Sequence, residues 1–286
     1  MPELPEVETI RRDLSKKIIS KQIISFQVNK KRIIKNSVAK FRKSLLNHHI
    51  VKLDRVGKLL ILNIDNGLYL LIHLKMTGQL VYYQQGKITP GGHFWPSPDT
   101  DLPNRFTHII FGFNDGSELF FNDMRQFGYL RIVNERELIE VKNKFGIEPI
   151  ANNYTWEKFK ELIKNRRVSI KAFLLNQSLI AGLGNIYVDE ACFLAGIRPQ
   201  KKVNKLTLLE KKEIWQASRK VLQQGIKNRG TTFSDYVDAD GNSGYHSKFL
   251  KVYGRTGKLC KKCKQVTIRK IKLVGRGTHY CPICQK

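Results

Sequence analysis

Two cysteine pairs, Cys260-x2-Cys263 and Cys281-x2-Cys284, with seventeen residues between them, constrain this chain more than any other feature. Each pair presents two thiolates from one tight turn, and four thiolates satisfy tetrahedral Zn²⁺ with no position left open for catalysis. The spacing therefore predicts a zinc ribbon. One structural zinc ion, held by Cys260, Cys263, Cys281 and Cys284, folds a segment with too little core of its own. Free or redox-active thiols and an iron–sulfur centre are the alternatives. Between the pairs, 267–274 and 278–280 read as strands joined by Gly275-Arg276-Gly277, with Arg276 at the tip. Residues 251–286 hold eleven Lys and Arg and no acid, so this hairpin is built to touch phosphates.

The whole chain carries the same sign. Against 24 Asp and Glu stand 51 Lys and Arg, a formal charge of +27 over 286 residues. Such a field draws polyanions, nucleic acid or an anionic membrane. No apolar run reaches the roughly 18–20 residues of a membrane span. The opening Met1-Pro2-Glu3-Leu4-Pro5-Glu6 has neither the basic nor the apolar region of a leader. The expectation is a protein of the reducing cytoplasm, where paired cysteines bind metal before they form disulfides. Cys192, alone, reads as a buried core residue, and none of the seven histidines marks an obvious site.

Residues 3–18 place Leu4, Val7, Ile10, Leu14 and Ile18 at helical spacing, with Pro5 in the first turn, where its missing N–H costs nothing. From about 20 to 134, short β runs alternate with turns. Runs 59–64 and 68–74 flank Asp65-Asn66-Gly67, and 108–113 and 118–121 flank Asn114-Asp115-Gly116. These are hairpin signals, and this part reads as an antiparallel sandwich or barrel. Residues 85–105, rich in Gly, Pro and Asp and carrying Phe94 and Trp95, read as a long surface loop. From about 135 helices dominate. Trp156, Phe159, Leu162 and Ile163 share one face, another helix begins over 170–175, and one follows Gly182-Leu183-Gly184-Asn185 to about 194. Thr207 and Glu210 form a capping box that opens a longer helix to about 226.

Two stretches have chemical potential. Gly182-Leu183-Gly184-Asn185-Ile186 enters a helix through a flexible turn, and the free N–H groups of a helix start hold phosphate. A glycine turn packed between helices reads identically. Pro2 is small enough to allow removal of Met1, which leaves a secondary amine. An α-amino group titrates at about 7.7–8, so roughly a tenth is unprotonated at neutral pH, against under about a thousandth of a lysine. A secondary amine adding to an anomeric carbon gives an iminium directly, an electron sink for elimination. Glu3 and Glu6 share a face of the first turn, one to donate a proton and one to hold the amine. Without further context these residues are also an ordinary helix start, with acids at its dipole.

Four signals coincide: Pro2-Glu3-Leu4-Pro5-Glu6-Val7-Glu8-Thr9, Gly182-Leu183-Gly184-Asn185-Ile186-Tyr187, Val252-Tyr253-Gly254-Arg255, and the cysteine ribbon. Over nearly the whole chain they resemble the bacterial formamidopyrimidine-DNA glycosylase family. The resemblance implies an α+β chain in three parts. These are an N-terminal helix with an antiparallel β-sandwich, catalytic, over 1–134; a helical DNA-binding domain with a helix–two-turn–helix motif over 135–246; and a zinc-ribbon finger over 247–286. It implies a monomeric, nucleoid-associated enzyme that acts on double-stranded DNA. It would excise oxidised purines, 8-oxoguanine and formamidopyrimidines, and then cut the strand by β- and δ-elimination. Carried over residue by residue, Pro2 is the nucleophile and Glu3 the acid that assists sugar opening and base release. Lys58 is the lysine of DNA contact and β-elimination, and Arg276 the arginine of phosphate contact and δ-elimination. Asn185 and Lys171 match phosphate-binding positions, with Arg167 beside them. Met76 matches the methionine that fills the space of the flipped base. Arg125 and Phe127 match the pair that faces the orphaned base and wedges the opposite strand, and Met and Phe replace lost stacking while Arg hydrogen-bonds an unpaired base. The cover over the flipped base falls within 231–246. One position departs: where the family commonly has a DNA-contacting histidine, this chain has Phe106, with His108 the nearest substitute.

Two rivals stand beside this reading. The endonuclease VIII branch shares fold and nucleophile but prefers oxidised pyrimidines. Its opening usually has Gly where this chain has Leu4, and its wedge residues differ from Met76, Arg125 and Phe127. A non-catalytic zinc-ribbon DNA-binding protein is the rival of another class, and Pro2, Glu3 and Lys58 together argue against it.

Overall fold

The computed structural model describes residues 2–92, 102–231 and 246–286, so Phe94, Trp95 and residues 232–245 of the stretch expected to cover a flipped base lie outside the described residues. The chain separates into two compact units, Met1–Asn143 with Asn228–Ser247, and Lys144–Lys227 with Lys248–Lys286. Among the described residues no helix is long and apolar enough to cross a membrane.

In the first unit, α1 (Leu4–Ile18) forms as its stripe predicts, capped by Glu3. Val7, Ile10, Leu14 and Ile18 are buried in the sandwich core. The strands are β1 (Ile23–Val28), β2 (Ile50–Val56), β3 (Leu59–Ile64), β4 (Tyr69–His73), β5 (Gly78–Gln84), β6 (Lys87–Gly92), β7 (Thr107–Phe113), β8 (Glu118–Asp123) and β9 (Tyr129–Val133). They build two antiparallel sheets, ordered β1-β7-β8-β5-β6 and β2-β3-β4-β9. Both sheets send side chains into one core, Leu60, Leu62, Leu70 and Ile72 from the smaller and Leu80, Phe111, Leu119 and Phe121 from the larger. A sandwich is the result.

Two expectations need correction here. Residues 87–92 are not loop but β6, paired with β5 from Gln84↔Lys87 to Gln79↔Gly92. Gln85 and Gly86 both have positive φ, 48° and 79°, as a two-residue hairpin turn requires. Gly92 lies so close to its neighbour that a Cβ there would meet the Gly78 carbonyl oxygen at 2.5 Å. Within the stretch read as β runs, Val38–Leu45 is a helix, α2. Ser37 caps it by accepting from Lys40 N–H, and Phe41 stacks on Phe26 at 5.6 Å. A third helix, α3 (Glu135–Lys142), stays with this unit because Arg131 of β9 holds Glu137 at 2.7 Å.

The second unit contains α4 (Trp156–Ile163), α5 (Ile170–Leu175), α6 (Asn185–Leu194), α7 (Leu208–Lys227) and the hairpin β10 (Arg269–Leu273) and β11 (Arg276–Tyr280). The capping box at Thr207 and Glu210 is present, with bonds of 2.9 and 3.1 Å. The ribbon forms one unit with the helices for two reasons. Glu190 of α6 accepts the backbone N–H groups of Lys251, Val252 and Tyr253, and Phe193 of α6 completes the ribbon's small core of Val252, Cys260, Ile268 and Cys281. The hairpin turn is Val274-Gly275, φ 52° and 68°, so Arg276 is not its tip but the first residue of β11, opposite Leu273.

Candidate functional site

Pro2 and Glu3 are buried at the head of α1. Pro5 belongs to the first turn, and Glu3 with Glu6 forms a capping box. Glu6 does more than that. One carboxylate oxygen accepts the Glu3 N–H at 2.9 Å, and the other accepts the Thr231 N–H at 2.9 Å. Glu6 therefore fixes the backbone that carries residue 2 and ties it to the segment from 228. Arg229 pairs with the buried Asp13 at 2.7 Å, and His246 N–H returns to the Gly230 carbonyl.

Lys58 is 6% exposed and follows Gly57 in the tight turn between β2 and β3. That turn is hung on α1. Arg55 donates to the Gly57 carbonyl at 2.9 Å and to Glu8 at 3.1 Å, and Glu8 also receives Arg11 and Arg12. Burial pushes the Glu8 carboxyl up, but the hydrogen bonds from Arg11 and Arg12 and the charge of Arg55 outweigh it and hold it at about 2. The unfolded chain binds this proton near the ordinary carboxylate value and the folded one only near 2, so stability falls as pH drops between them. By pH 3 this amounts to about 2 kcal/mol. Urea denaturation at pH 6 and pH 3 is expected to show this loss, and Glu8→Gln to flatten most of it. An unchanged pH slope in the variant would contradict the network.

His73 ends β4, opposite Tyr129, and its ring is 5.6 Å from the tyrosine's. Burial first, then the charges of Lys75 and Lys58, push its pKa down to about 3. Its Nδ1 accepts the Lys75 N–H at 3.0 Å, which leaves Nε2 as the protonated nitrogen of a neutral imidazole beside Lys58. Sequence reasoning passed it by.

Met76, Arg125 and Phe127 stand in two turns that the sheet brings together, since Gly78 of β5 pairs with Asp123 of β8. Asp123, fully buried, is the clamp. It accepts Thr77 Oγ1, the Gly128 N–H at 2.6 Å and the Arg125 N–H at 3.2 Å. Held at both ends, the turn projects Phe127, 53% exposed, with the Arg125 guanidinium 4.7 Å from its ring. His108 is 2% exposed and its Nε2 meets the Asp123 carbonyl at 2.7 Å, so it braces this turn from inside. His108 is thus a buried brace, while Phe106, at the position where the family commonly has a histidine, is half-buried.

In the second unit Arg167 and Arg276 are exposed. Asn185 opens α6, and its Nδ2 donates to the Gly277 carbonyl at 3.0 Å. Lys171, expected at a phosphate, is instead fully buried, its ammonium 2.6 Å from Asp189 and 3.5 Å from the same carbonyl, so its charge is spent inside the unit. Cys192 is a core residue, its thiol pushed up by burial and by Asp189.

The four cysteine sulfurs lie within 4.8 Å of one another. Cys260–Cys284 and Cys263–Cys281 are each 3.8 Å apart. A Zn–S bond of about 2.3 Å in a tetrahedron separates sulfurs by about 3.8 Å, so this donor set fits zinc. Backbone N–H groups of Lys262 and Cys284 point at Cys260 and Cys281 sulfur, both at 3.4 Å, as expected around thiolates.

A β-sandwich with a buried Pro2-Glu3 helix start and the turn of Lys58, and a helical unit clasping a four-cysteine ribbon, fit the class of helix–two-turn–helix DNA glycosylases. Residues 1–130 match the formamidopyrimidine-DNA glycosylase N-terminal domain, and residues 145–237 match the formamidopyrimidine-DNA glycosylase H2TH domain. The formamidopyrimidine-DNA glycosylases of Carboxydothermus hydrogenoformans and Pelotomaculum thermopropionicum are 42% and 40% identical, covering 100% of this chain and 100% and 99% of theirs. The Lactococcus lactis Fpg solved with DNA containing an abasic site is 34% identical, with a TM-score of 0.87 over 99% of both chains. The same protein solved with DNA containing N7-benzyl-Fapy-dG gives 0.88 over 100% of both. This chain belongs to the formamidopyrimidine-DNA glycosylase family.

Proposed function

We propose that this chain excises oxidised purines, 8-oxoguanine and formamidopyrimidines, from duplex DNA and then cleaves the strand as an abasic-site lyase. The observation that carries this is the buried capping box at the head of α1, where Glu6 holds the Glu3 N–H and so the residue that bears the amine. With Met1 removed, the Pro2 nitrogen attacks C1′ of the damaged nucleotide. The bond from C1′ to the base breaks and the base leaves with the bonding pair and the proton the amine gives up; Glu3 delivers a proton to O4′ as C1′–O4′ breaks, leaving the iminium. The iminium withdraws electrons. A proton is lost from C2′, the C3′–O3′ bond breaks and the phosphate departs with the bonding pair. A proton is then lost from C4′, C5′–O5′ breaks likewise, and a one-nucleotide gap remains. Lys58 contacts the DNA and assists the first elimination, Arg276 the second.

Flipping the base out costs a few kcal/mol. Met76 fills its place, Arg125 bonds the orphaned partner and Phe127 wedges the opposite strand. Arg167 and Asn185 serve the phosphate backbone, while Lys171, fully buried against Asp189, holds the strand beside them and touches no phosphate itself. One zinc ion on Cys260, Cys263, Cys281 and Cys284 supplies folding energy to the ribbon and takes no part in the reaction. On this reading the enzyme acts on the bacterial chromosome, in the cytoplasm, as a monomer.

Borohydride added to the protein with duplex containing 8-oxoguanine opposite cytosine is expected to trap a covalent complex joined through residue 2. Efficient trapping on an oxidised pyrimidine but not on 8-oxoguanine would replace this reading with the endonuclease VIII one. Binding without trapping on either would leave a binding protein.

A further inference from the structure

Helix α6 grips strand β11 at two places one helical turn apart. Asn185 donates to the Gly277 carbonyl at 3.0 Å, and Asp189 accepts the His279 N–H at 2.8 Å with the imidazole Nδ1 at 3.1 Å. The spacings agree: four helical residues advance about 6 Å and two strand residues about 6.6 Å. The other oxygen of Asp189 holds the Lys171 ammonium at 2.6 Å, and that ammonium lies 3.5 Å from the Gly277 carbonyl. Both charged groups are fully out of solvent. Arg276, exposed, is the residue next to Gly277.

We propose that Asp189 is a positioning residue for Arg276. Its carboxylate ties α5, α6 and β11 together, and so sets the register in which Arg276 stands over the N-terminal end of α6. Lys171 acts within this device by drawing the Gly277 carbonyl and Asp189 to one point. A lone buried carboxylate would be costly, and a buried pair adds little stability over apolar residues of similar size. What the pair supplies is direction, to both elements at once. The inference rests on the proposed lyase activity, because Arg276 is read as the arginine of the second elimination.

The test compares the full-length parent with the double variant Lys171→Met and Asp189→Leu, which removes both charges together and leaves neither stranded. Each is given duplex with an abasic site, and the ratio of β,δ-product to β-product is measured beside borohydride trapping and zinc content. The expected result is at least a tenfold fall in that ratio, with trapping at saturating DNA and one zinc per chain unchanged. A ratio equal to the parent's would overturn the proposal, as would an equal fall in trapping and ratio, which marks a general structural role. Should the double variant fail to fold, isosteric Asp189→Asn keeps an acceptor for His279 and is expected to lower the ratio about threefold; no change there would overturn the proposal as well. Failure of the parent itself to be trapped would remove the lyase reading, a result separate from either.

Discussion

Replacing Cys281 by serine, or stripping the metal with a chelator, is expected to melt the ribbon while the β-sandwich stays folded. Cys281 is fully buried, and the ribbon's small core is Phe193, Val252 and Ile268 with the cysteines and Val266 packed around them. Structural zinc contributes about 10–16 kcal/mol in small ribbons and fingers. A whole domain's stability is about 5–15 kcal/mol, so nothing else in this segment offsets the loss. Amide exchange should rise to unfolded rates over β10 and β11 and stay slow in β3. DNA affinity should fall by about a hundredfold near 0.1 M salt, since two lost phosphate contacts cost roughly 0.9 log unit each. Protected amides at Ile271 or Thr278 after metal loss would show that the hairpin stands on its grip by α6 alone.

That contrast also separates what was legible in the sequence from what was not. The ribbon was legible because metal-ligand spacing is local, and so were the hairpins at Asp65-Asn66-Gly67 and Asn114-Asp115-Gly116, where Gly67 and Gly116 both have φ of 78°. The apolar stripe of α1 and the capping box of α7 lie within one or two turns as well. β6 was hidden because Pro90, Gly91 and Gly92 resemble loop composition, whereas the glycine at 92 answers a close backbone approach. The place of Arg276 in the hairpin was misjudged because Val274, a β-branched residue, takes the left-handed conformation that the reading reserved for glycine.

The site divides along the same line. The cysteine cluster and the helix start at Pro2 and Glu3 were legible because their residues sit beside one another in the chain, whereas Lys58 entered only through the resemblance. Glu8, Asp123 and Asp189 were not legible. Glu8 acts on a turn through Arg55, 47 residues away, Asp123 on Thr77 at 46, and Asp189 on His279 at 90. Nothing local distinguishes them from surface acids. The useful signal would have been an acid predicted on a buried face, since such a group is almost never fully buried unpaired. Asp13, Asp123 and Asp189 all have 2% exposure or less.

Changing Pro2 to glycine is expected to lower strand cleavage at an abasic site by about a hundredfold, near 2.7 kcal/mol of transition-state stabilisation, with DNA binding within about twofold. The change leaves an α-amine of similar basicity, so the loss reports the secondary amine and its placement. A primary amine gives a neutral imine that must gain a proton before it withdraws electrons, whereas proline's adduct is cationic from the start. Glycine also frees the backbone torsion that the proline ring fixes, just where Glu6 anchors the Glu3 N–H. Intact mass of each protein, before and after borohydride, shows whether Met1 has been removed and where the DNA is joined. Parallel losses of binding and cleavage would make Pro2 a packing residue at a helix start. Full activity from chains that retain Met1 would exclude the amine of residue 2 as the attacking group.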